Sequence, residues 1–206
     1  MIVIEPHGMP GEFIRKAHAC RISASDMRNA LAGRETKAHR QLIDRLVLDF
    51  EGVQNHTDEF PDPWHDEHDA AVAGALRLYK LSAEADVEQI GFVIDEDFSW
   101  LACSPHALVG HNGCVHVRWR RTLRNLKEAG RPDRYELARL HVVMRVCDRE
   151  WCDLVDFWDG GDVTLDQLRV QRVPFDRVFF TDTVLARLVI VWQTVAQRRA
   201  ERRAAG

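Results

Sequence analysis

Residues 104–118 read SPHALVGHNGCVHVR, and the reading of this stretch decides the fold. Ser104-Pro105 makes a turn, Ala107–Val109 is a short apolar run, and Asn112-Gly113 is a strong two-residue hairpin signal. Beyond it Cys114, His116 and Arg118 alternate with Val115 and Val117, the period of a strand with one buried face. A hairpin over Val109–Arg118 is therefore expected. A two-residue turn would set His111 opposite Cys114, put Cys114 and His116 on one face, and leave His106 on the other by strict parity.

Working outward, MIVIE (1–5) reads as a first strand stopped by Pro6, Gly8, Pro10 and Gly11. SASDMRNALAG offers Ser25 or Asp26 as a helix N-cap and Gly33 as a stop. Helical spacing of Ala38, Leu42, Ile43, Leu46, Val47 and Phe50 predicts an amphipathic helix over 37–50. The polar, Pro-containing segment 51–69 reads as a loop, and Ala70–Lys80, apolar nearly all round, as a helix buried on several sides. Strands are expected at 91–94 and 100–103, a helix at 135–146, strands at WCDLVDFW (151–158) and LRVQRV (168–173), and a long amphipathic helix at 178–199. With no repeat and no linker, this order predicts one α/β (α+β) domain over 1–206, a central mixed sheet flanked by helices.

The 206 residues are 46 % apolar and 29 % charged with net charge −4. That composition excludes a disordered chain and does not advertise nucleic-acid binding, although a local basic channel can sit on an acidic protein. No apolar stretch approaches the roughly 20 residues that span a bilayer. The first ten residues lack a basic n-region, so a cytoplasmic protein with no membrane partner is expected. Five scattered cysteines read as free thiols. The basic end at about 196–206, with Arg198, Arg199, Arg202 and Arg203, reads as a solvated helix terminus suited to the negative pole of the dipole.

Several strings resemble the lambda-type alkaline exonucleases, or YqaJ-like viral recombinases, of the PD-(D/E)XK nuclease superfamily, over about residues 12–192. QIGFVIDEDFSWLACSPHALVGHNGCVHVR is similar to the family's "G-F-V … S-P-D-G-L-V-G … G-L-V-E-I-K", matching at Gly91, Ser104, Pro105, Leu108, Val109, Gly110 and Gly113. ISAS (22–25) resembles the family's Thr-Ala-Ser helix start, which meets the DNA 5′-phosphate. Its Trp and Arg fall on Ile14 and His18, with Arg15 nearby. AVAGALRLYK aligns through Ala75 and Tyr79, and YELARL keeps Tyr135 of a Tyr-x-x-Gln-x-Gln helix while its two Gln positions become Ala138 and Leu140. The resemblance implies a PD-(D/E)XK core with the chemistry-bearing positions replaced: the metal-binding Glu becomes Val72, the Asp becomes His106, the second acid becomes His116, and the lysine becomes Arg118.

Phosphodiester cleavage of this type needs hard oxygen ligands for Mg²⁺ or Mn²⁺, which Val72 cannot supply and imidazole supplies poorly. Arg118 keeps a positive charge but is no proton shuttle. No cofactor is expected, and Glu67, Asp69, Asp95, Glu96 and Asp97 read as solvent-exposed turn and helix-start acids rather than relocated ligands. Cys103, His106, His111, Cys114 and His116 crowd N and S ligand types together, but their spacing is no recurrent zinc signature, and free buried thiols with surface histidines are expected. The reading is thus an inactive homologue of a phage recombination exonuclease that acts by binding. Its partners would be duplex DNA, held through Ser25, Arg118 and Arg15, or a recombination protein or host nuclease or defence complex, and a homo-oligomer is among its expected states. An active 5′-to-3′ exonuclease with a divergent site and a structural or inhibitory protein that binds no nucleic acid are the alternatives.

Overall fold

Parallel pairing of two long strands organises the chain: β7 (Gly113–Trp119) lies beside β8 (Trp151–Phe157) in register from Gly113↔Trp151 to Trp119↔Phe157. The computed structural model describes residues 2–3, 17–53, 63–160 and 165–205. β3 (Val87–Glu88), β6 (Ala107–Val109) and β9 (Leu168–Pro174) complete a mixed five-stranded sheet, β3-β6-β7-β8-β9. A second, four-stranded mixed sheet runs β1-β4-β5-β2, with β1 at Ile2–Val3, β2 at Ile22–Ser23, β4 at Val93–Ile94 and β5 at Leu101–Cys103.

Strand alternation sends the two faces of the larger sheet to different helices. Val109, Val115, Val117, Val155 and Phe157 pack with Ala71, Val72, Ala75 and Tyr79 of α3 (Pro63–Ala83). Leu108, Cys114, Cys152 and Leu154 face the larger core, which holds Ala138, Leu140, Val143 and Met144 of α5 (Arg134–Val146). The remaining helices are α1 (Met27–Ala30), α2 (Lys37–Phe50), the short α4 (Leu123–Lys127) and α6 (Ala186–Ala205). Thr36, Thr122 and Asp133 cap α2, α4 and α5 by accepting backbone N–H bonds, which satisfies donors that a helix start leaves open. The mixed sheets flanked by helices are those expected from the element order.

Differences from the sequence reading have local causes. The 3-10 turn at 24–26 that opens α1 is capped by Ser23, not Ser25 or Asp26, because the Asp26 carboxylate accepts the Ser23 N–H in a capping box. α3 begins at Pro63, inside the expected loop, since Pro is well suited to the first turn of a helix. The strand at 91–94 shortens to Val93–Ile94, and the final helix opens with seven residues of π-helix, Phe179–Leu185. The short elements β2, β3 and α4, which the pattern does not announce, are only two, two and five residues long.

The helical segment Phe179–Ala205 contains a window long and apolar enough to cross a membrane by length and composition, which corrects the expectation of no such stretch. Its Leu188, Val191 and Val195 are buried in the core with Leu46 and Val47 of α2. The basic end is pinned rather than loose: Arg198 pairs with Asp44, Arg202 with Glu51, and Arg199 lies 3.5 Å from the Phe50 ring centroid.

Candidate functional site

The opening hairpin closes differently from the Asn112-Gly113 prediction. Val109 pairs with Gly113, Leu108 with Cys114 and Ala107 with Val115, so the loop is the three residues 110–112 with Gly110 at φ +52°. Gly113 serves packing instead. A Cβ there would lie 2.2 Å from the Trp151 ring, and the neighbouring carbonyl of Asn112 accepts the Glu150 N–H at 2.8 Å. An odd-numbered shift of register exchanges faces. His106 therefore falls on the side of His116, not opposite to it, and Leu108 rather than His111 faces Cys114.

His106 and His116 stack with ring centroids 4.7 Å apart and planes within 9°. The Val117 N–H donates to Nδ1 of His106 at 2.7 Å, so the neutral ring carries its proton on Nε2 and can only donate there. Burial, then Arg139 and His68, pushes the His106 pKa down to about 3. Burial, with His106 next in weight, holds His116 well below the ordinary range. His116 is buried and His106 half-buried, and both are neutral at physiological pH, which corrects the expectation of surface histidines. His111 alone of the hairpin histidines is exposed. His68 of α3 comes within 6.1 Å of the His106 ring, closer to the site than its sequence neighbours suggested.

Arg118 is bound on three sides. Its Nη1 donates to Glu136 at 2.6 Å, and its Nη2 to Asp156 at 2.6 Å and to the Gly130 carbonyl at 3.2 Å. Asp156 also accepts from Arg120 at 2.5 Å. The guanidinium is thus engaged by this chain's own carboxylates and the Gly130 carbonyl. Arg15 and Ile14 lie outside the described residues. His18 packs 4.0 Å from the Phe92 ring centroid, its pKa lowered by burial.

These side chains do not fit a hard divalent cation. Val72 is buried among apolar residues, His106 spends its lone pair on a backbone N–H, and Arg118 supplies a positive charge. Asp95 is buried, contrary to the exposed reading, where it accepts the Asp97 and Phe98 N–H groups and pairs with Arg145. Asp97 is exposed and pairs with Arg145 as well, while Glu67, Asp69 and Glu96 are exposed. Among the described residues no three His, Cys, Asp or Glu side chains are arranged to hold a metal ion. Cys103 and Cys114 instead join Cys147 and Cys152 as buried free thiols in the larger core, and burial raises the Cys103 thiol far above its usual range.

Beside this network a cavity of about 190 Å³ opens between the start of α1 and the start of α5, lined by Ser25, Arg28, Asp133, Tyr135, Glu136 and Arg139 among others. Arg28 pairs with Asp133 at 3.1 Å and lies 5.0 Å from the Tyr135 ring centroid. Glu136 is taken by Arg118. That leaves the half-buried Arg139, from whose guanidinium no described residue accepts a hydrogen bond, and whose pKa burial lowers. The resemblance pointed to Ala138 and Leu140 on this helix, yet both are fully buried. Arg139, one turn after Tyr135, is the residue that shares its face, and that spacing was the signal available.

The chain is thus a mixed α/β fold, helices flanking mixed sheets, with a polar pocket at the helix-start end. No protein-family model and no curated protein sequence matches the chain. Among solved structures it is similar to the alkaline exonuclease LHK-Exo of Laribacter hongkongensis, with TM-score 0.74 and 16 % identity over 92 % of this chain and 97 % of that one. The same exonuclease in complex with dAMP matches at TM-score 0.74 and 17 % identity, covering 93 % and 97 %. A phage-related exonuclease from Haemophilus somnus 129PT matches at TM-score 0.62 and 9 % identity, covering 88 % and 96 %. The fold is that of these exonucleases.

Proposed function

We propose that this protein binds a nucleic-acid phosphate in the pocket of Ser25, Arg28 and Arg139, and does so without the cleavage for which its fold relatives are named exonucleases. The observation that carries the reading is Arg139: a half-buried guanidinium with no described acceptor, facing a polar cavity beside Ser25. A partly desolvated arginine gains most from an anion that accepts two of its N–H bonds, and phosphate oxygens match that fork. That LHK-Exo has been obtained with dAMP supports a nucleotide phosphate as the anion. The absence of hard ligands at Val72 and the His106–His116 stack, with Arg118 tied up by carboxylates, supports binding without hydrolysis. On this reading duplex DNA is the partner, and neither a recombination protein nor a host nuclease complex is needed to explain the pocket.

The test is a gel-shift titration in EDTA with duplexes that carry either a 5′-phosphate or a 5′-hydroxyl. Tighter binding of the phosphorylated end, lost in Arg139→Ala, supports the proposal. Equal affinity for both ends in the native protein, or a 5′-phosphate preference that survives Arg139→Ala, overturns it.

A further inference from the structure

Between the end of β7 and the start of α5 the chain changes character. Residues 118–134 (RWRRTLRNLKEAGRPDR) carry seven basic residues against Glu128 and Asp133, in a protein whose net charge is −4. Most of this lobe is exposed, including Arg121, Arg124, Lys127, Arg131 and Arg134. It is also held in place: Arg118 donates to the Gly130 carbonyl, Arg169 of β9 reaches the Lys127 carbonyl at 3.4 Å, and Thr122 caps α4. Its two acids are already used, Glu128 by Arg124 and Asp133 by Arg28 and the first N–H groups of α5. No described carboxylate pairs with Lys127, Arg131 or Arg134.

We propose that this basic lobe is a second contact surface, for the sugar-phosphate backbone of duplex nucleic acid, running out from the Arg139 pocket. The proposal rests on the phosphate-pocket reading and extends it from one end group to the strand behind it. Continuity comes from Tyr135, which lines the pocket and has the guanidinium groups of Arg28 and Arg134 each 5.0 Å from its ring centroid. A row of exposed cations on a rigid segment suits a polyanion, since each neutralised phosphate releases condensed counterions. An acidic protein partner would need apolar or aromatic anchors. The lobe has few: Trp119 is half-buried under Arg121, and Leu123 is the exposed large apolar side chain. Backbone contacts of this kind position a duplex without reading its sequence.

The experiment measures affinity for a fluorescent 5′-phosphorylated duplex in EDTA across a range of salt, for the native protein, for the triple variant Lys127→Ser, Arg131→Ser, Arg134→Ser, and for Arg139→Ala. All three lobe positions are exposed, and far-UV circular dichroism checks that the variants fold. The triple variant should bind about tenfold or more weakly at low salt, with the slope of log K against log salt reduced by about 2–3, and should keep its preference for the 5′-phosphate. Wild-type affinity and slope in the triple variant overturn the lobe, as does an absence of DNA binding by the native protein at low salt. If the triple variant loses its slope while the native protein shows no 5′-phosphate preference, the pocket reading fails and the lobe stands.

Discussion

Arg118 holds Glu136, Asp156 and the Gly130 carbonyl together, and only 14 % of its side chain reaches solvent. Removing one member of such a cluster leaves the others charged and desolvated, which costs far more than the intact pair contributes. Arg118→Ala is expected to destabilise the fold by about 3–5 kcal/mol in denaturant titration, and Arg118→Lys by less, because an ammonium can reach one carboxylate but not bridge two. An unchanged midpoint for Arg118→Ala would show the network to be dispensable. Gly113 makes a second prediction at this scale. Its missing Cβ admits the Trp151 ring, itself held by Arg172 at 3.6 Å. Gly113→Ala should therefore cost about 1–3 kcal/mol through overpacking, measured as a lowered thermal midpoint.

At the scale of elements, histidines join pieces that the pattern alone does not connect. His141 of α5 donates from Nδ1 to the Leu137 carbonyl and accepts the Asp176 N–H at 3.0 Å, which ties α5 to the entry of the π-helix. Burial lowers its pKa, as it does those of His106 and His116. In each case the unfolded chain takes up a proton before the native one. The stability these groups contribute is thus complete above about pH 6.5 and is lost as pH falls from there towards 3. Urea titrations between pH 7.5 and 4 should show that decline, and a His106→Gln, His116→Gln double variant should show a flatter one. A native protein equally stable at pH 4.5 and 7.5 would contradict the buried, neutral assignment.

Much of the element layout was legible: the alternation of Val115 and Val117 marks β7, and helical spacing marks α2 and α5. The hairpin register was not, because Gly113 answers to Trp151, 38 residues away, rather than to its own turn. Arg139 went unnoticed because the resemblance directed attention to Ala138 and Leu140, which face the core. The burial of Asp95 was equally hidden, since its partner Arg145 comes from a helix 50 residues on.

For the whole molecule, the fold of the alkaline exonucleases is present, with a polar pocket at the start of α5, while Val72, the His106–His116 stack and the paired Arg118 supply no set of hard ligands. Recognition of a phosphate without hydrolysis is the activity proposed for this protein. Its most direct test incubates the protein with a 5′-phosphorylated duplex in parallel with EDTA, Mg²⁺, Mn²⁺ and Zn²⁺, reading retention and strand length on the same gels. Retention of intact DNA is expected in every lane, with Arg139→Ala weakening it by about tenfold or more, the loss of a charge-assisted phosphate contact. Shortened strands that appear with a divalent metal and vanish with EDTA would contradict it.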